Sequence, residues 1–304
     1  MRILVTGANG QLGWELSRTS AKRGFDILAL DRAALDITDK SAVNQWVGGS
    51  GAAVVVNAAA YTAVDQAESE PELAFAANRD GPAYLASACR EAGIPLVHVS
   101  TDYVFDGEKQ GPYKETDPVS PLSIYGKSKA AGEMEVRERL DQHVILRAAW
   151  LYGVHGRNFV KTMLKLGQER DLIQVVADQY GCPTYAADLA DTILRIVVTT
   201  NEDGQITWGT YHYCGQGMTT WHGFAQAIFD LAGRHASFRV KRIKPISTAE
   251  YPTSAKRPTN SVLDCSLIEK TFNIHPKPWR ESLAQMIKML FSVEKSNESQ
   301  KVMT

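Results

Sequence analysis

Cysteine is scarce in this sequence. Four cysteines are spread over 304 residues, at Cys89, Cys182, Cys214 and Cys265. None stands in a Cys-x-x-Cys pair or beside a histidine at metal-ligand spacing, which excludes a zinc ribbon and a disulfide-stapled scaffold. The scarcity predicts a reduced, cytoplasmic protein, and the sequence offers no candidate metal site.

The sequence also lacks an excess of charge and a long apolar run. Its net charge is −1 and its pI about 6.7, so neither a nucleic acid nor a membrane surface is indicated as a partner. The longest apolar stretch, 51–61, is interrupted by Asn57 and is too short to cross a bilayer. Met1-Arg2 is followed by only three apolar residues, and no signal peptide is therefore expected.

Apolar strand patterns and helical patterns alternate through the first half of the chain. Strands are predicted at 3–6, 26–30, 53–57, 95–99 and 143–147, with helices at about 11–23, 39–47, 71–92 and 122–139. Apolar strands joined by helical crossovers predict an α/β fold with a doubly wound parallel sheet of Rossmann type, covered on both faces. Ligands of such a sheet bind beyond the carboxyl ends of its strands.

A glycine-rich turn follows the first predicted strand, in the run Thr6-Gly7-Ala8-Asn9-Gly10-Gln11-Leu12-Gly13. Gly7 would allow the tight turn, Gly10 the approach of a pyrophosphate, and Gly13 close helix–strand packing. The phosphates would rest on the helix N-terminus, where backbone N–H groups favour an anion. The second strand ends at Asp31, where a carboxylate would meet the adenine ribose. The alternative interpretation is a purely structural strand–helix turn.

After Arg147 the pattern loosens. Helices are predicted at 158–168, 186–198, 220–232 and 280–291, and a further sheet strand at 210–214. The prolines between the last helices predict extended loops: Pro245, Pro252, Pro258, Pro276 and Pro278. We expect residues 1–150 to form a dinucleotide-binding domain to which segments of about 173–214 return. Residues 151–304 would mainly form a smaller substrate-binding lobe.

Tyr125 and Lys129 are spaced to share one face of the helix predicted at 122–139. A free phenol has a pKa of about 10, and a neighbouring ammonium would lower it. The Tyr-x-x-x-Lys pattern is weak alone, but the upstream glycine-rich turn supplies a dinucleotide site. Together they indicate proton transfer coupled to dinucleotide chemistry.

These residues resemble the extended short-chain dehydrogenase/reductase superfamily and, within it, the dTDP-4-dehydrorhamnose reductase family. The resemblance covers nearly the whole chain. Besides the glycine-rich turn and the Tyr-x-x-x-Lys pattern, it is carried by Val56-Asn57-Ala58-Ala59-Ala60-Tyr61, Ser100-Thr101-Asp102-Tyr103-Val104-Phe105, Asp178-Gln179-Tyr180-Gly181-Cys182-Pro183-Thr184 and Arg257-Pro258. It implies NADPH or NADH as cofactor and a nucleotide sugar as substrate. The implied reaction reduces the 4-keto group of dTDP-4-dehydro-L-rhamnose to give dTDP-L-rhamnose.

The resemblance assigns catalytic roles to three residues. Tyr125 would donate a proton to the sugar oxygen, and Thr101 would hydrogen-bond the same oxygen. Lys129 would lower the phenol pKa and hold the nicotinamide ribose. Two alternatives stay open: Thr101 as the cap of a strand end, and Lys129 as a solvated helix lysine.

Cofactor contacts are predicted, besides Tyr125 and Lys129, where the first three strands end: Gly7, Gly10, Gln11, Leu12, Gly13, Asp31, Arg32, Asp36, Ile37, Ala58, Ala59 and Ala60. Asp31 would accept hydrogen bonds from the ribose hydroxyls, which favours NADH. Arg32 could pair with the 2′-phosphate of NADPH, and both cofactors are therefore expected.

Substrate contacts are predicted for Thr101, Asp102, Trp150, Gln179, Thr184 and Arg257. The Arg257 guanidinium would bind the diphosphate bidentately, and Trp150 would stack on the sugar. The alternatives are a surface arginine and a core tryptophan. Related 4,6-dehydratases carry Glu at the position of Tyr103, and without that base a reductase is favoured.

Metal and partner expectations follow from the same resemblance. Some reductases of this family bind Mg²⁺ through acidic residues at a dimer interface. Glu15 matches part of that pattern, but Ala187 stands where a second acid is expected. The sequence therefore predicts no Mg²⁺ ligand cluster. Mg²⁺ binding and a homodimer both stay open as alternatives. The regulatory β subunit of methionine adenosyltransferase also resembles the family and acts by binding a partner enzyme. The complete set of Thr101, Tyr125 and Lys129 favours catalysis over that role. A reductase that acts on another nucleotide 4-ketosugar stays open as an alternative.

Overall fold

The computed structural model describes residues 1–202 and 207–301 of the chain. Residues 203–206, within the segments of about 173–214 expected to return to the first domain, and residues 302–304 of the expected second lobe lie outside the described residues. The strands are β1 Arg2–Thr6, β2 Asp26–Leu30, β3 Val54–Asn57, β4 Leu96–Thr101, β5 His143–Ala148, β6 Leu151–Tyr152, β7 Leu172–Val176, β8 Tyr180–Gly181, β9 Thr184–Tyr185, β10 Gly209–His212, β11 Thr219–Thr220 and β12 Arg242–Ile246.

Helices occupy most of the remaining chain. They are α1 Gln11–Arg23, α2 Lys40–Gly49, α3 Val64–Ala67, α4 Pro71–Phe75, α5 Gly81–Ala92, α6 Ile124–Arg139, α7 Phe159–Glu169, α8 Ala186–Glu202, α9 Trp221–Ala232, α10 Ser266–Phe272 and α11 Trp279–Lys301. Within the described ranges, none of them is long and apolar enough to cross a membrane.

Six strands form the central sheet, in the order β10-β5-β4-β3-β1-β2. Every neighbouring pair in this sheet is parallel. The chain leaves β1 toward β2 on one side and continues with β3 on the other, so the strand order reverses at β1. This reversal opens a crevice at the carboxyl ends of β1 and β3. The predicted Rossmann-type α/β fold is confirmed.

The two faces of the sheet are buried under different helices. Ile3 and Val5 point to one face and pack with side chains of α1 and α8. Leu4 points to the opposite face and packs with side chains of α2, α5 and α6. Successive strand residues alternate between faces, so a strand buried on both sides must be apolar throughout.

The helix predicted at 71–92 is interrupted. A π-helical segment, Ala76–Asp80, separates α4 from α5. Its buried Asn78 donates one hydrogen bond to the Ser128 hydroxyl on α6 and another to the Tyr61 carbonyl, both at 3.0 Å. Gly132 of α6 lies directly against the Asn78 carbonyl, where any side chain would collide. The wider turn therefore brings Asn78 onto the helix that carries Tyr125.

In the described part of the chain, three two-stranded sheets lie outside the central sheet and pair β6 with β9, β7 with β12, and β8 with β11. Side chains from α7, α9 and α11 form an apolar core of their own with β7. The extended loop predicted around Pro245 is wrong, because this proline lies in β12 opposite Val175. The pairing is possible because each strand of a two-stranded sheet has a free edge, where the missing N–H of proline costs no ladder bond.

Candidate active site

The glycine-rich turn between β1 and α1 is held by close backbone contacts. Gly7 adopts a left-handed conformation with φ of 72°, and a Cβ there would lie 2.7 Å from the Ala59 backbone. A Cβ on Gly13 would overlap the Gly7 carbonyl oxygen. The Gly10 N–H donates to that oxygen at 2.9 Å. Gly7 and Gly13 therefore require glycine for steric reasons, whereas a Cβ on Gly10 would lie 3.2 Å from the Gly7 carbonyl oxygen, which is a tight contact.

Helix α1 begins without a side-chain cap at Gly10. The N–H groups of a first helical turn have no partner within the helix, and here no side chain takes them. Positive φ at Gly7, the close-packed turn and the uncapped helix N-terminus fit a dinucleotide pyrophosphate. The candidate residues Gly10, Gln11 and Gly13 lie in this turn. Leu12 has its side chain in the core, so only its backbone faces the site.

The carboxyl end of β2 lies beside the glycine-rich turn. Asp31 accepts hydrogen bonds from Asn9 Nδ2 at 2.7 Å and from the Ala34 N–H at 3.0 Å. The Arg32 side chain is 85% exposed and meets Asp36 at 3.1 Å. A weakly held guanidinium at this position is free to reach an added phosphate. Ile37, in contrast, is buried and packs against Gly81.

The run after β3 forms the opposite wall of the crevice. Ala58 and Ala59 are partly buried and Ala60 is exposed. The Ala59 N–H donates to Asn57 Oδ1 at 3.1 Å, and this fixes the direction in which the chain leaves the strand. Small side chains here leave room for a bound ring.

A segment that the sequence did not single out also contacts the glycine-rich turn. His155 Nε2 meets the Asn9 carbonyl oxygen at 3.1 Å, and its ring stacks on Trp14 with centroids 5.4 Å apart. Asn158 donates to Gln11 Oε1 at 3.0 Å. No pattern in the sequence signals these two hydrogen bonds, because they join residues 146 and 147 positions apart.

The catalytic candidates meet where β4 ends against α6. Ser123 caps α6 by accepting from the Gly126 N–H at 3.1 Å, which places Tyr125 in the first turn. The Thr101 hydroxyl faces the Tyr125 phenol, and both side chains are buried. Tyr103 packs edge-on against the Tyr125 ring with centroids 5.5 Å apart.

Burial determines the ionisation of Tyr125. It raises the phenol pKa to about 12, although the Thr101 hydroxyl lowers it in part and the charge of Asp102 raises it further. The expected lowering of the Tyr125 pKa is wrong, because burial raises it and Lys129 is not among the groups that act on the phenol. The phenol is consequently protonated at neutral pH, as a proton donor must be.

Lys129 is enclosed rather than solvated. It is 2% exposed and donates to the Val99 carbonyl oxygen at 2.6 Å. Burial lowers its pKa to about 8, and the charge of Glu133 opposes this shift. The bond to Val99 fixes the ammonium on the β4 side of α6.

A buried ion pair, which sequence reasoning missed, ties α6 to the sheet. Glu133 accepts hydrogen bonds from Arg147 Nε at 2.8 Å, from Arg147 Nη2 at 2.7 Å and from the Ser100 hydroxyl at 2.6 Å. Burial alone would raise the Glu133 pKa, but Arg147, Arg137 and Ser100 together lower it to about 2. The sequence did contain a signal for this residue: Glu133 follows Lys129 by one turn of α6, so the two side chains lie on the same helix face.

Asp102 lies at the base of this cluster and is almost fully buried. Its Oδ1 accepts a hydrogen bond from the Thr101 hydroxyl at 2.9 Å. Its Oδ2 has no hydrogen-bond partner, although the Ser261 hydroxyl faces the carboxylate. Burial raises the Asp102 pKa to about 6, and the hydrogen bonds offset only part of that shift.

Arg257 joins the cluster through an acidic partner. It pairs with Asp65 through two bonds, Nη1–Oδ1 at 3.1 Å and Nη2–Oδ2 at 2.7 Å. The guanidinium also faces the Tyr103 phenol, which packs on Tyr125. The structure therefore brings Arg257 to the catalytic candidates, already oriented for bidentate binding.

The remaining substrate candidates are held by packing. Trp150 has a left-handed φ of 48° and stacks on Trp221 with centroids 3.6 Å apart. Thr184 is completely buried and donates to the Cys182 carbonyl, so its side chain offers no surface to a sugar. Gln179 is buried and donates to the Thr248 hydroxyl at 3.1 Å. These three residues shape the lobe, and only Trp150 keeps a partly exposed ring.

A cavity of about 820 Å³ lies between the loops 109–112 and 214–218. It is lined by Cys182, Cys214 and Cys265 and by none of the catalytic candidates. Over residues 1–202 and 207–301, no group of three or more His, Cys, Asp or Glu side chains is arranged to hold a metal ion.

Comparison with known proteins agrees with this geometry. The family described as the RmlD substrate binding domain matches residues 1–292. A dTDP-4-dehydrorhamnose reductase of Aggregatibacter actinomycetemcomitans is 45% identical over 93% of this chain and 97% of its own length.

Two crystal structures are similar over the same extent. A dTDP-4-dehydrorhamnose reductase from Clostridium acetobutylicum has a TM-score of 0.89 and 42% identity, covering 95% of this chain and 99% of its own. The Bacillus anthracis dTDP-4-dehydrorhamnose reductase in complex with NADP has a TM-score of 0.88 and 40% identity over the same shares. The chain described here therefore belongs to the RmlD substrate binding domain family, together with these reductases.

Proposed function

We propose that this chain reduces the 4-keto group of dTDP-4-dehydro-L-rhamnose to give dTDP-L-rhamnose, the last step of dTDP-rhamnose biosynthesis, using NADPH or NADH. The observation that carries the proposal is the meeting of Thr101 with the protonated phenol of Tyr125 beside a glycine-rich dinucleotide turn. Relatives named for this reaction support the choice of substrate, and the NADP complex of one of them supports the cofactor.

When bound, NADPH or NADH supplies the hydride that adds to C4 of the sugar. Tyr125 gives its phenolic proton to the O4 atom, which gains negative charge as the hydride arrives. A positioned general acid of this kind contributes about 10²- to 10⁴-fold to the rate. Thr101 hydrogen-bonds the same oxygen. Lys129, fixed by the Val99 carbonyl, holds the nicotinamide ribose with its remaining N–H donors.

We place the adenine end of the cofactor beside Asp31, whose carboxylate accepts from the ribose hydroxyls. The exposed Arg32 pairs with a 2′-phosphate when NADPH is bound, in exchange for its weak contact with Asp36. An arginine forms two parallel bonds to a phosphate, and this offsets the repulsion between that phosphate and Asp31.

We place the nucleotide sugar against the lobe formed mainly by residues 151–304. Arg257 exchanges Asp65 for the diphosphate, because both partners present two oxygens in the same fork geometry. The partly exposed Trp150 ring offers an apolar wall to the sugar. Asp65 keeps the guanidinium oriented until substrate arrives.

One assay tests the proposal and separates it from a role as a non-catalytic binding subunit. Purified protein is mixed with dTDP-4-dehydro-L-rhamnose and NADPH or NADH, and cofactor oxidation is followed at the nicotinamide absorption band. Formation of dTDP-L-rhamnose with equal cofactor consumption is expected. Protein that binds NADPH but forms no product with either cofactor would exclude the reductase function and leave the subunit hypothesis.

We also propose a cellular location and an oligomeric state, from the free cysteines and from the family resemblance. All four cysteines are free thiols, which supports a reducing compartment and hence the cytoplasm. The family resemblance supports a homodimer, formed without a metal cluster. Cell fractionation and light scattering of the purified protein, with and without EDTA, test these two properties.

A further inference from the structure

The hydroxyl of Thr101 has a single hydrogen, and the structure shows where it goes. Thr101 Oγ1 lies 2.9 Å from Asp102 Oδ1, and a carboxylate can only accept. The same oxygen accepts from the Tyr103 N–H at 3.2 Å. While Asp102 is ionised, the Thr101 hydrogen is therefore committed to the carboxylate and is not available to a sugar oxygen.

Protonation of Asp102 reverses the direction of the hydrogen bond between Thr101 and Asp102. The new carboxyl O–H can donate to Thr101 Oγ1, which then accepts from both Asp102 and the Tyr103 N–H. The Thr101 hydrogen is released and can turn toward the oxygen that Tyr125 protonates. This arrangement satisfies the donor and both acceptor sites of the Thr101 hydroxyl. It requires a protonated Asp102, because a carboxylate has no hydrogen to donate.

We propose that Asp102 is a positioning residue that, in its protonated form, makes Thr101 a hydrogen-bond donor to the sugar oxygen. The inference rests on the proposed reductase function. Asp102 keeps its proton through the reaction: the O–H bond of Tyr125 breaks and an O–H bond forms at O4. Asp102 contributes no proton to the product.

The surroundings of Asp102 make the protonated form accessible. The carboxyl is 2% exposed, one of its oxygens is unpartnered, and burial raises its pKa. The titratable groups that face it are Tyr125 from α6, the adjacent Tyr103, and Cys182 from the β8–β9 turn. The first two are neutral near pH 7 because burial raises their pKa. Arg257, which faces Tyr103, is paired with Asp65.

The first test compares pH profiles of kcat for wild type and Asp102→Asn. Wild-type kcat is expected to fall as pH rises through the pKa of Asp102. An asparagine amide does not titrate and, with its N–H group toward Thr101 Oγ1, takes the place of the protonated acid, so the variant should lose that limb. A limb that persists in the variant, or a kcat more than about 100-fold lower at all pH values, would overturn the proposal.

A second test needs no substrate. The Asp102 carboxyl carbon is followed by NMR during a pH titration, in wild type and in Thr101→Val, with Asp102→Asn to assign the signal. A hydrogen bond to the ionised form lowers a pKa, so removing the Thr101 hydroxyl should raise the Asp102 midpoint. An unchanged midpoint overturns the inference. Wild-type protein that titrates as expected but shows no turnover would count against the proposed function alone.

Discussion

Replacing Glu133 with Gln tests whether the buried ion pair holds the catalytic helix against the sheet. Arg147 is 1% exposed, and in the variant its guanidinium would keep its charge without a carboxylate. Breaking a buried pair by removing one partner costs about 3–5 kcal/mol. We expect a loss of that size in the free energy of unfolding, measured by urea denaturation with circular dichroism.

A matched control lies on the same helix. Glu135 forms an i,i+4 pair with Arg139, but the arginine side chain of this pair is 41% exposed. Exposed pairs contribute about 0–1 kcal/mol, so Glu135→Gln should change stability little. If the two variants lost similar amounts, the ion pair would not be what anchors α6.

The pH dependence of stability gives an independent measure. The Glu133 pKa falls from 4.5 to about 2 on folding. A shift of that size corresponds to roughly 3 kcal/mol. Because the folded-state pKa is lowered, this contribution is complete above pH 4.5 and is lost as pH falls toward 2. The stability difference between wild type and Glu133→Gln should narrow over that window, and a constant difference would refute the reasoning.

Three further predictions concern turnover. Tyr125→Phe removes one hydroxyl and should lower kcat at least about 10²-fold, with little change in NADPH affinity. A near-normal kcat, measured where chemistry limits the rate, would contradict the role of Tyr125 as proton donor. Arg32→Ala should raise KM for NADPH while leaving KM for NADH nearly unchanged, and equal effects on both cofactors would show that Arg32 does not bind the 2′-phosphate. Arg257→Lys replaces a bidentate guanidinium by a single ammonium charge. Steady-state kinetics should show that KM for the nucleotide sugar rises about 10-fold or more, with a smaller effect on kcat. An unchanged KM would mean that the diphosphate binds elsewhere.

The fold could be predicted where local sequence and global structure agree. Within β1, residues 3–5 are apolar on both faces because both faces of the strand are covered, so their composition alone indicates a buried strand. Gly13 is required by contacts with Gly7 and Ala8 a few residues earlier, whereas Gly7 is required by the approach of Ala59. Features of this kind depend on short stretches of chain.

The missed features depend on contacts between distant segments. Pro245 indicates a loop by local rules, and only the partner strand β7 makes it an edge-strand residue. The π-helical segment exists because Gly132, more than fifty positions later, leaves room for Asn78. Neither feature can be predicted from local composition.

The candidate site likewise combines features that the local sequence predicts with features that depend on distant segments. The spacing of Tyr125 and Lys129 correctly places both on α6. The direction of the Tyr125 pKa shift was wrong, because spacing says nothing about how much water reaches a side chain. Thr184 was chosen from its run alone, and its complete burial follows from the pairing of β9 with β6.

The last strand of the central sheet has a consequence for synthesis on the ribosome. β10 covers the edge of β5, and about sixty residues separate the two strands in the chain. Translation proceeds at about 5–20 residues per second, so β5 emerges several seconds before its neighbour. During that interval its unpaired N–H and C=O groups form an apolar open edge, which other chains could join. The nascent chain is therefore most exposed to aggregation after β1–β5 have formed and before β10 arrives.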